Sequence, residues 1–376
     1  MKRPERIAVV GLGGIFPDAP TLERFWDNVA LRRCAARQVP RGRWLLAPED
    51  VFDPAKGAAD KVYSLNACLI EGFKPDLSGF EIPEASLVGL DPMYHLGLHA
   101  ARQAWGQLKA ERGKTGVIIG NIALPTDSAS ALSRETLMLA FERHALGKDS
   151  ASAAPGLNPL NRYVAGLPAG LIAQALGLGG TAFTLDAACA SSLYALKLAC
   201  DELRSGRADA MITGGLSRPE SLYTQMGFSQ LRALSARGIP SPFDAAADGL
   251  VVGEGAGMLA LKRYDDAVRD GDKIWGVIAG AGLSNDVGGS LLAPNTVGQL
   301  RAMRAAYREA GWSASDVDYV ECHAAGTPTG DPIEVASLKA LWGERGWTAG
   351  QCALGSVKSN VGHMLTAAGA AGLIKV

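Results

Sequence analysis

Short apolar runs alternate with helix-length stretches along the whole chain, and no other feature constrains the fold as much. Residues 7–10, 116–119, 182–185, 210–213, 258–261, 275–278, 317–321 and 352–355 each read as a buried strand. Between them, residues 22–30, 93–108, 163–176, 190–204, 297–310 and 332–342 carry the amphipathic or uniformly apolar patterns of helices. Strands apolar on both faces need cover on both sides, so the pattern predicts an α/β protein with helices over buried sheets. Residues 33–90, rich in Pro, Gly and charge, read as an elaborated loop region. Strand–turn–helix around Cys189 and strand–loop–helix around His323 suggest two similar halves, 1–262 and 263–376.

Charge and composition remove several classes. A net charge of −1 builds no general field for nucleic acid or an anionic membrane. No stretch approaches the roughly 20 apolar residues of a membrane span. The N-terminus is basic and then apolar, like a signal peptide. However, glycines break the run, and Pro17 and Asp18 follow where a cleavage site should lie. A first strand fits better, and a cytoplasmic chain is expected. Six scattered cysteines without a C-x-x-C pair argue against a disulfide framework and a structural zinc site.

Three segments carry chemistry. Thr184-Leu-Asp-Ala-Ala-Cys-Ala-Ser-Ser-Leu193 passes from a strand through small residues into a helix. Cys189 then sits at the helix start, where free N–H groups and the helix dipole favour a thiolate. A small buried hydrophobe is the other reading, and it is preferred for Cys200. Of five histidines, His323 and His363 both stand at strand carboxyl ends, where open α/β sheets place their sites. Two neutral imidazoles beside a thiol could donate hydrogen bonds to a carbonyl or carboxylate. Glu334 and Lys358 are the candidate supporting ion pair, and Asp331 reads as a cap or a supporting group. His95 and His99 have i,i+4 spacing without a third ligand in view, and His144 reads as surface.

Together these segments resemble the β-ketoacyl synthase family of the thiolase-like superfamily. Asp186-Ala-Ala-Cys189-Ala-Ser-Ser192 is similar to its D-x-A-C-[AS]-S-S block. Glu321-Cys-His323 through Gly330-Asp331-Pro332-Ile-Glu334 is similar to E-x-H-x-T-x-T-x-x-G-D-P-x-E, and Lys358-Ser-Asn360-Val-Gly362-His363 to K-x-N-x-G-H. Ser241-Pro-Phe-Asp244, Ala247-Asp-Gly249 and Gly253-Glu-Gly-Ala-Gly257 match a further block. The N-terminal segment, with Phe16-Pro17 and Phe25-Trp26, is similar to synthases of multidomain polyketide-type enzymes, and residues 221–230 to those of polyunsaturated fatty acid and glycolipid type.

The resemblance implies a five-layer α-β-α-β-α fold, usually a homodimer, and an acyltransferase without a bound cofactor or metal. Cys189 would take an acyl group from a phosphopantetheine arm, its N–H forming half of an oxyanion hole. His323 and His363 would stabilise the enolate from a malonyl-loaded acyl carrier protein. Lys358, paired with Glu334, would hold the His363 loop, and Thr327 and Asn360 would contact substrate. Adjoining synthase domains are implied as well.

Two departures stand out. The first threonine of H-x-T-x-T is Ala325, which should weaken carrier binding by about 1 kcal/mol, one net hydrogen bond. The chain also ends within what reads as a helix, so the C-terminal half is expected to be incomplete, without the family's glycine-phenylalanine loop. Three other readings compete. A cysteine hydrolase would not need the second histidine block. A silent synthase, acting as scaffold or chain-length partner, commonly lacks one of the three site residues. A dinucleotide-binding protein would need a glycine where Phe16 stands in G-x-G-x-x-G.

Overall fold

The first strand is longer than its apolar run, because its glycines serve the packing. In the computed structural model, which describes residues 5–149, 157–288, 293–343 and 350–376, β1 spans Ile7–Ile15. A Cβ at Gly11 would stand 2.4 Å from the Ala104 carbonyl oxygen, and one at Gly13 would stand 2.0 Å from that of Ala100. Any side chain there would push helix α1 (Pro92–Trp105) off the strand. The glycine cluster is thus a helix-on-strand contact, which accounts for it without a dinucleotide.

Five more strands complete a mixed sheet: β2 (Thr115–Gly120), β3 (Ala182–Leu185), β4 (Ala210–Ser217), β5 (Gly255–Arg263) and β6 (Gly276–Ile278). Their order is β3-β2-β4-β5-β1-β6, with β2 parallel to β3 and β4 and the other pairs antiparallel. Side chains alternate across it. Ala8, Val10, Val117, Ile119 and Ile212 join the core under α1 and α2 (Leu167–Leu176). Ile7, Val9, Ile118 and Met211 join the core on the opposite face, under α3 (Ser191–Arg204). The period of two therefore fills both faces, as a doubly covered sheet requires.

A second, two-stranded parallel sheet pairs β7 (Tyr319–Glu321) with β8 (Ala353–Gly355). Cys322, Ala324 and Leu338 pack there with Val320, Met303 of α4 (Thr296–Ala310) and Trp342 of α5 (Gly330–Trp342). Helix α6 (Ala368–Lys375) lies between the sheets. A Cβ at its Gly372 would stand 3.0 Å from Glu321 Cγ, and one at Gly257 of β5 would stand 3.1 Å from Ala370 Cβ. The layers thus run α-β-α-β-α, the expected arrangement. Strand β6 follows residue 262 in the chain, yet it joins the first sheet by pairing with β1.

The 33–90 region holds only short pieces, including a two-residue ladder between Arg37–Gln38 and Asn66–Ala67. The helices Asp127–Ser133, Leu139–Leu146 and Ser221–Gln230 are additions to those that the apolar pattern predicts. Among the described residues no helix is long and apolar enough to cross a membrane.

Candidate active site

The three chemical segments converge where β3, β7 and β8 end. Cys189 stands in a single helical turn, Ala188–Ala190, between β3 and α3. Two side chains build this elbow. The Asp186 carboxylate accepts the N–H groups of Ala188 and Ala123, each at 2.8 Å, while Ser191 Oγ accepts Ala187 N–H at 2.8 Å. Ala188 is held at φ +49°. Residues following the two histidines are similarly strained, Ala324 at φ +24° and Leu365 at +46°. Left-handed backbone at non-glycine positions costs energy and persists only where surrounding contacts over-determine it.

Those contacts are identifiable around each histidine. The Glu334 carboxylate, on α5, accepts the N–H of His323 and of Ala324, both at 2.7 Å. Asp331 Oδ1 accepts Gly326 N–H at 3.1 Å and Asp331 Oδ2 accepts Phe243 N–H at 2.9 Å, so it braces two loops. Capping of α5 does not describe it. His363 is clamped against residues 251–253: its N–H donates to the Val251 carbonyl at 2.7 Å, and its carbonyl accepts Gly253 N–H at 2.9 Å.

The two imidazoles lie with centroids 5.3 Å apart and planes at 76°. His363 is buried, and Leu365 N–H donates to its Nδ1 at 3.0 Å. A ring nitrogen that accepts carries no proton, so the His363 proton resides on Nε2, ready to donate. Burial pushes His363 well below the ordinary imidazole value, and the neighbouring His323 and the Lys358 charge add to that. His323 is pushed down in the same way by surrounding protein and then by Lys358. Solvent reaching its exposed edge moderates that push. Both rings are neutral donors at pH 7.

Cys189, Cys322, His323, Lys358, Leu193 and Leu373 help line a cavity of about 180 Å³. Burial raises the Cys189 thiol above its ordinary value, while Lys358 and the cysteine's own N–H pull it down. The helix start therefore does not yield a free thiolate, contrary to expectation, because desolvation is the larger effect. Alkylation of Cys189 by iodoacetamide should still be accelerating at pH 9, since less thiolate exists at any given pH than for an ordinary cysteine. Rates measured by peptide mass against pH would show this, and a plateau below pH 8 would contradict it.

Two supporting residues make other contacts than the motifs suggest. Lys358 is buried, but it forms no ion pair within 4 Å with Glu334, whose oxygens face the backbone N–H groups. Glu321 and Glu334 act on Lys358 only through space, and burial lowers its value overall. The Asn360 side chain anchors backbone: its Nδ2 donates to the carbonyls of Asn28 and Arg33, and its backbone carbonyl accepts Ala35 N–H. Ala325 packs into a buried cluster with Tyr63, Leu234, Leu250 and Val252. Thr327 Oγ1 accepts Gly330 N–H at 3.2 Å, a local loop contact.

Motif spacing alone assigns no role to Asp186, Ser191 or Glu321. Glu321 accepts Val357 N–H and pairs with Lys375 at 2.7 Å, joining β7, the lysine loop and α6. Its place in the same motif as His323 is the available signal. Cys200 is buried among Ala195, Leu196 and Ala199, and His144 is exposed. His95 contacts the Leu87 carbonyl and His99 stands edge-on to Phe73, so each ring has a protein partner.

Comparison with known proteins agrees with this geometry. Residues 4–267 match the family model described as beta-ketoacyl synthase, N-terminal domain, and residues 275–376 match its C-terminal domain. A phenolphthiocerol/phthiocerol polyketide synthase of Mycobacterium tuberculosis is 36% identical over 99% of this chain, which spans 23% of that relative. Polyketide synthase ThaG of Burkholderia thailandensis is 34% identical over 98% of the chain, which spans 6% of it. Among solved structures, the PfaC keto synthase-chain length factor aligns at TM-score 0.91 and 40% identity, covering 99% of this chain and 41% of that one. The ketosynthase from module 6 of the Bacillus subtilis 168 bacillaene synthase aligns at TM-score 0.80 and 30% identity, covering 98% and 60%.

Proposed function

For this chain, which belongs to the β-ketoacyl synthase family, we propose decarboxylative condensation of a Cys189-bound acyl group with a malonyl-type thioester. The observation that carries the proposal is the paired rings of His323 and His363, with His323 lining the Cys189 cavity and Leu365 N–H donating to His363 Nδ1. Cys189 sulfur attacks the incoming acyl thioester, and the pantetheine thiol leaves with the cysteine proton. The malonyl carboxylate then departs as carbon dioxide, its bonding pair passing into an enolate on the remaining thioester. Donors on His323 and His363 stabilise that oxyanion, which a protonated imidazole pair could not do without the cost of two adjacent buried charges. The enolate carbon attacks the acyl carbonyl and expels Cys189 sulfur, leaving a β-ketoacyl thioester.

An acyl carrier protein delivering both units through phosphopantetheine is the proposed partner, with no other cofactor, in the cytoplasm. A polyketide or fatty acid product is consistent with this chemistry. Adjoining synthase domains are supported by the relatives, in which the matched part is a fraction of a longer chain. A homodimer is supported by β3, an edge strand with Phe183 exposed, which a second copy could extend.

One comparison favours a second reading, a silent chain-length partner, because the PfaC structure joins a keto synthase to a chain length factor. Incubation with an acyl thioester and a malonyl carrier separates the two. Formation of a β-ketoacyl carrier supports condensation. Carrier binding without acylation or carbon dioxide release supports the silent partner.

A further inference from the structure

The backbone that clamps His363 is itself tied down by a buried ion pair outside the condensing site. Residues 251–254 run between Cys68 on one side and His363 on the other, bridged to each as a strand is to its neighbours. Cys68 N–H donates to the Val252 carbonyl at 2.8 Å, and Glu254 N–H donates to the Cys68 carbonyl at 3.1 Å. On the opposite edge His363 N–H donates to the Val251 carbonyl, and Gly253 N–H donates to the His363 carbonyl. Contact there is close. A Cβ at Gly253 would stand 2.3 Å from the Val361 carbonyl oxygen, so a shift of the middle segment moves the His363 loop with it.

Glu254 closes this ladder with its side chain. Only 3% exposed, its carboxylate accepts Ile70 N–H at 2.8 Å through Oε1 and the Arg43 guanidinium at 2.5 Å through Oε2. Arg218 stands 3.8 Å from the same Oε2 and pairs with Asp127 at 3.1 Å. A carboxylate this buried needs such partners, because an unpaired buried charge is costly. The Cys189 turn rests on different contacts, those of Asp186 and Ser191.

We propose that Glu254 is a positioning residue for His363, setting through Val251 and Gly253 where that ring stands. Arg43 and Arg218 hold the carboxylate in place. The inference rests on the condensation reading, in which His363 meets the enolate oxygen. Glu254 itself touches no reacting atom and acts through the backbone alone.

Glu254→Gln tests this with nearly the same shape, keeping an acceptor for Ile70 N–H and removing the charge that Arg43 meets. Acylation of Cys189 and carbon dioxide release from a malonyl carrier are measured separately, the second for kcat and KM. Release is expected to slow about 10- to 100-fold in kcat with KM within about twofold, the cost of a slightly misplaced donor. Acylation should stay within about twofold of the parent chain. Hydrogen exchange read by mass should quicken about tenfold at the Gly253 and His363 amides, while peptides around Cys189 keep the parent rate. Arg43→Lys, a milder change at the same pair, should give the same pattern at smaller size and serves where the glutamine variant does not fold. Equal loss of acylation and release, faster exchange everywhere, or unchanged release from a folded variant would overturn the proposal. A parent chain that releases no carbon dioxide defeats the condensation reading instead, and the exchange pattern then decides whether Glu254 holds the His363 backbone.

Discussion

Replacing His363 with alanine is expected to slow condensation by about 100- to 1,000-fold, while Cys189 still accepts an acyl group. The size follows from removing one preorganised donor to a developing oxyanion. The separation of steps follows from geometry. The cysteine turn is built by Asp186 and Ser191, neither of which bonds to His363. His363 is instead held by Val251 and Gly253, and its tautomer by Leu365. The alanine variant leaves the Leu365 N–H without an acceptor, so some stability is lost as well, about 1–3 kcal/mol. Single-turnover acylation and carbon dioxide release, measured separately on protein shown to be folded, check the prediction. Equal loss of both steps would mean that the histidine acts on the cysteine.

The second large effect concerns stability. Glu334→Ala is expected to destabilise the chain by roughly 2–5 kcal/mol, since a buried and a part-buried N–H group lose a shared carboxylate. Those groups belong to His323 and to Ala324, whose φ of +24° needs support. Glu334→Gln keeps one acceptor oxygen and should recover part of the loss. Chemical denaturation of the three proteins gives the order wild type, glutamine, alanine. An alanine variant within about 0.5 kcal/mol of wild type, the range of unremarkable surface changes, would contradict this account of the loop.

The layers of the fold are legible because buried strands and amphipathic helices leave periodic apolar marks. Runs such as 116–119 and 210–213 fall within strands buried along their full length. Strand β1 reads short in the sequence because glycines carry no apolar signal, although they are what lets α1 lie on the strand. The helix Ser221–Gln230 escapes the pattern because its buried face includes Ser221, Thr224, Gln225 and Ser229, residues that a hydrophobic pattern passes over.

The three candidate site residues can be named from motif spacing, but their support cannot. Whether Lys358 bonds to Glu334 or only feels its charge depends on where the carboxylate points, and two backbone amides have the stronger claim. Asn360 shares a motif with His363 yet anchors that loop to residues 28 and 33, hundreds of positions away in the chain. The Cys189 shift runs opposite to the sequence expectation for a related reason. Helix position is visible in a sequence, whereas desolvation depends on what the fold packs around the sulfur.

The central claim is that Cys189 is the acyl-accepting nucleophile of a condensing site. Its most direct test is the intact mass of the chain after incubation with a short acyl-pantetheine thioester, with Cys189→Ala in parallel. The account predicts one added acyl group on the parent chain, mapped to Cys189, released by hydroxylamine and absent from the variant. An acyl group found equally on the variant, or none on a folded parent chain, would contradict it.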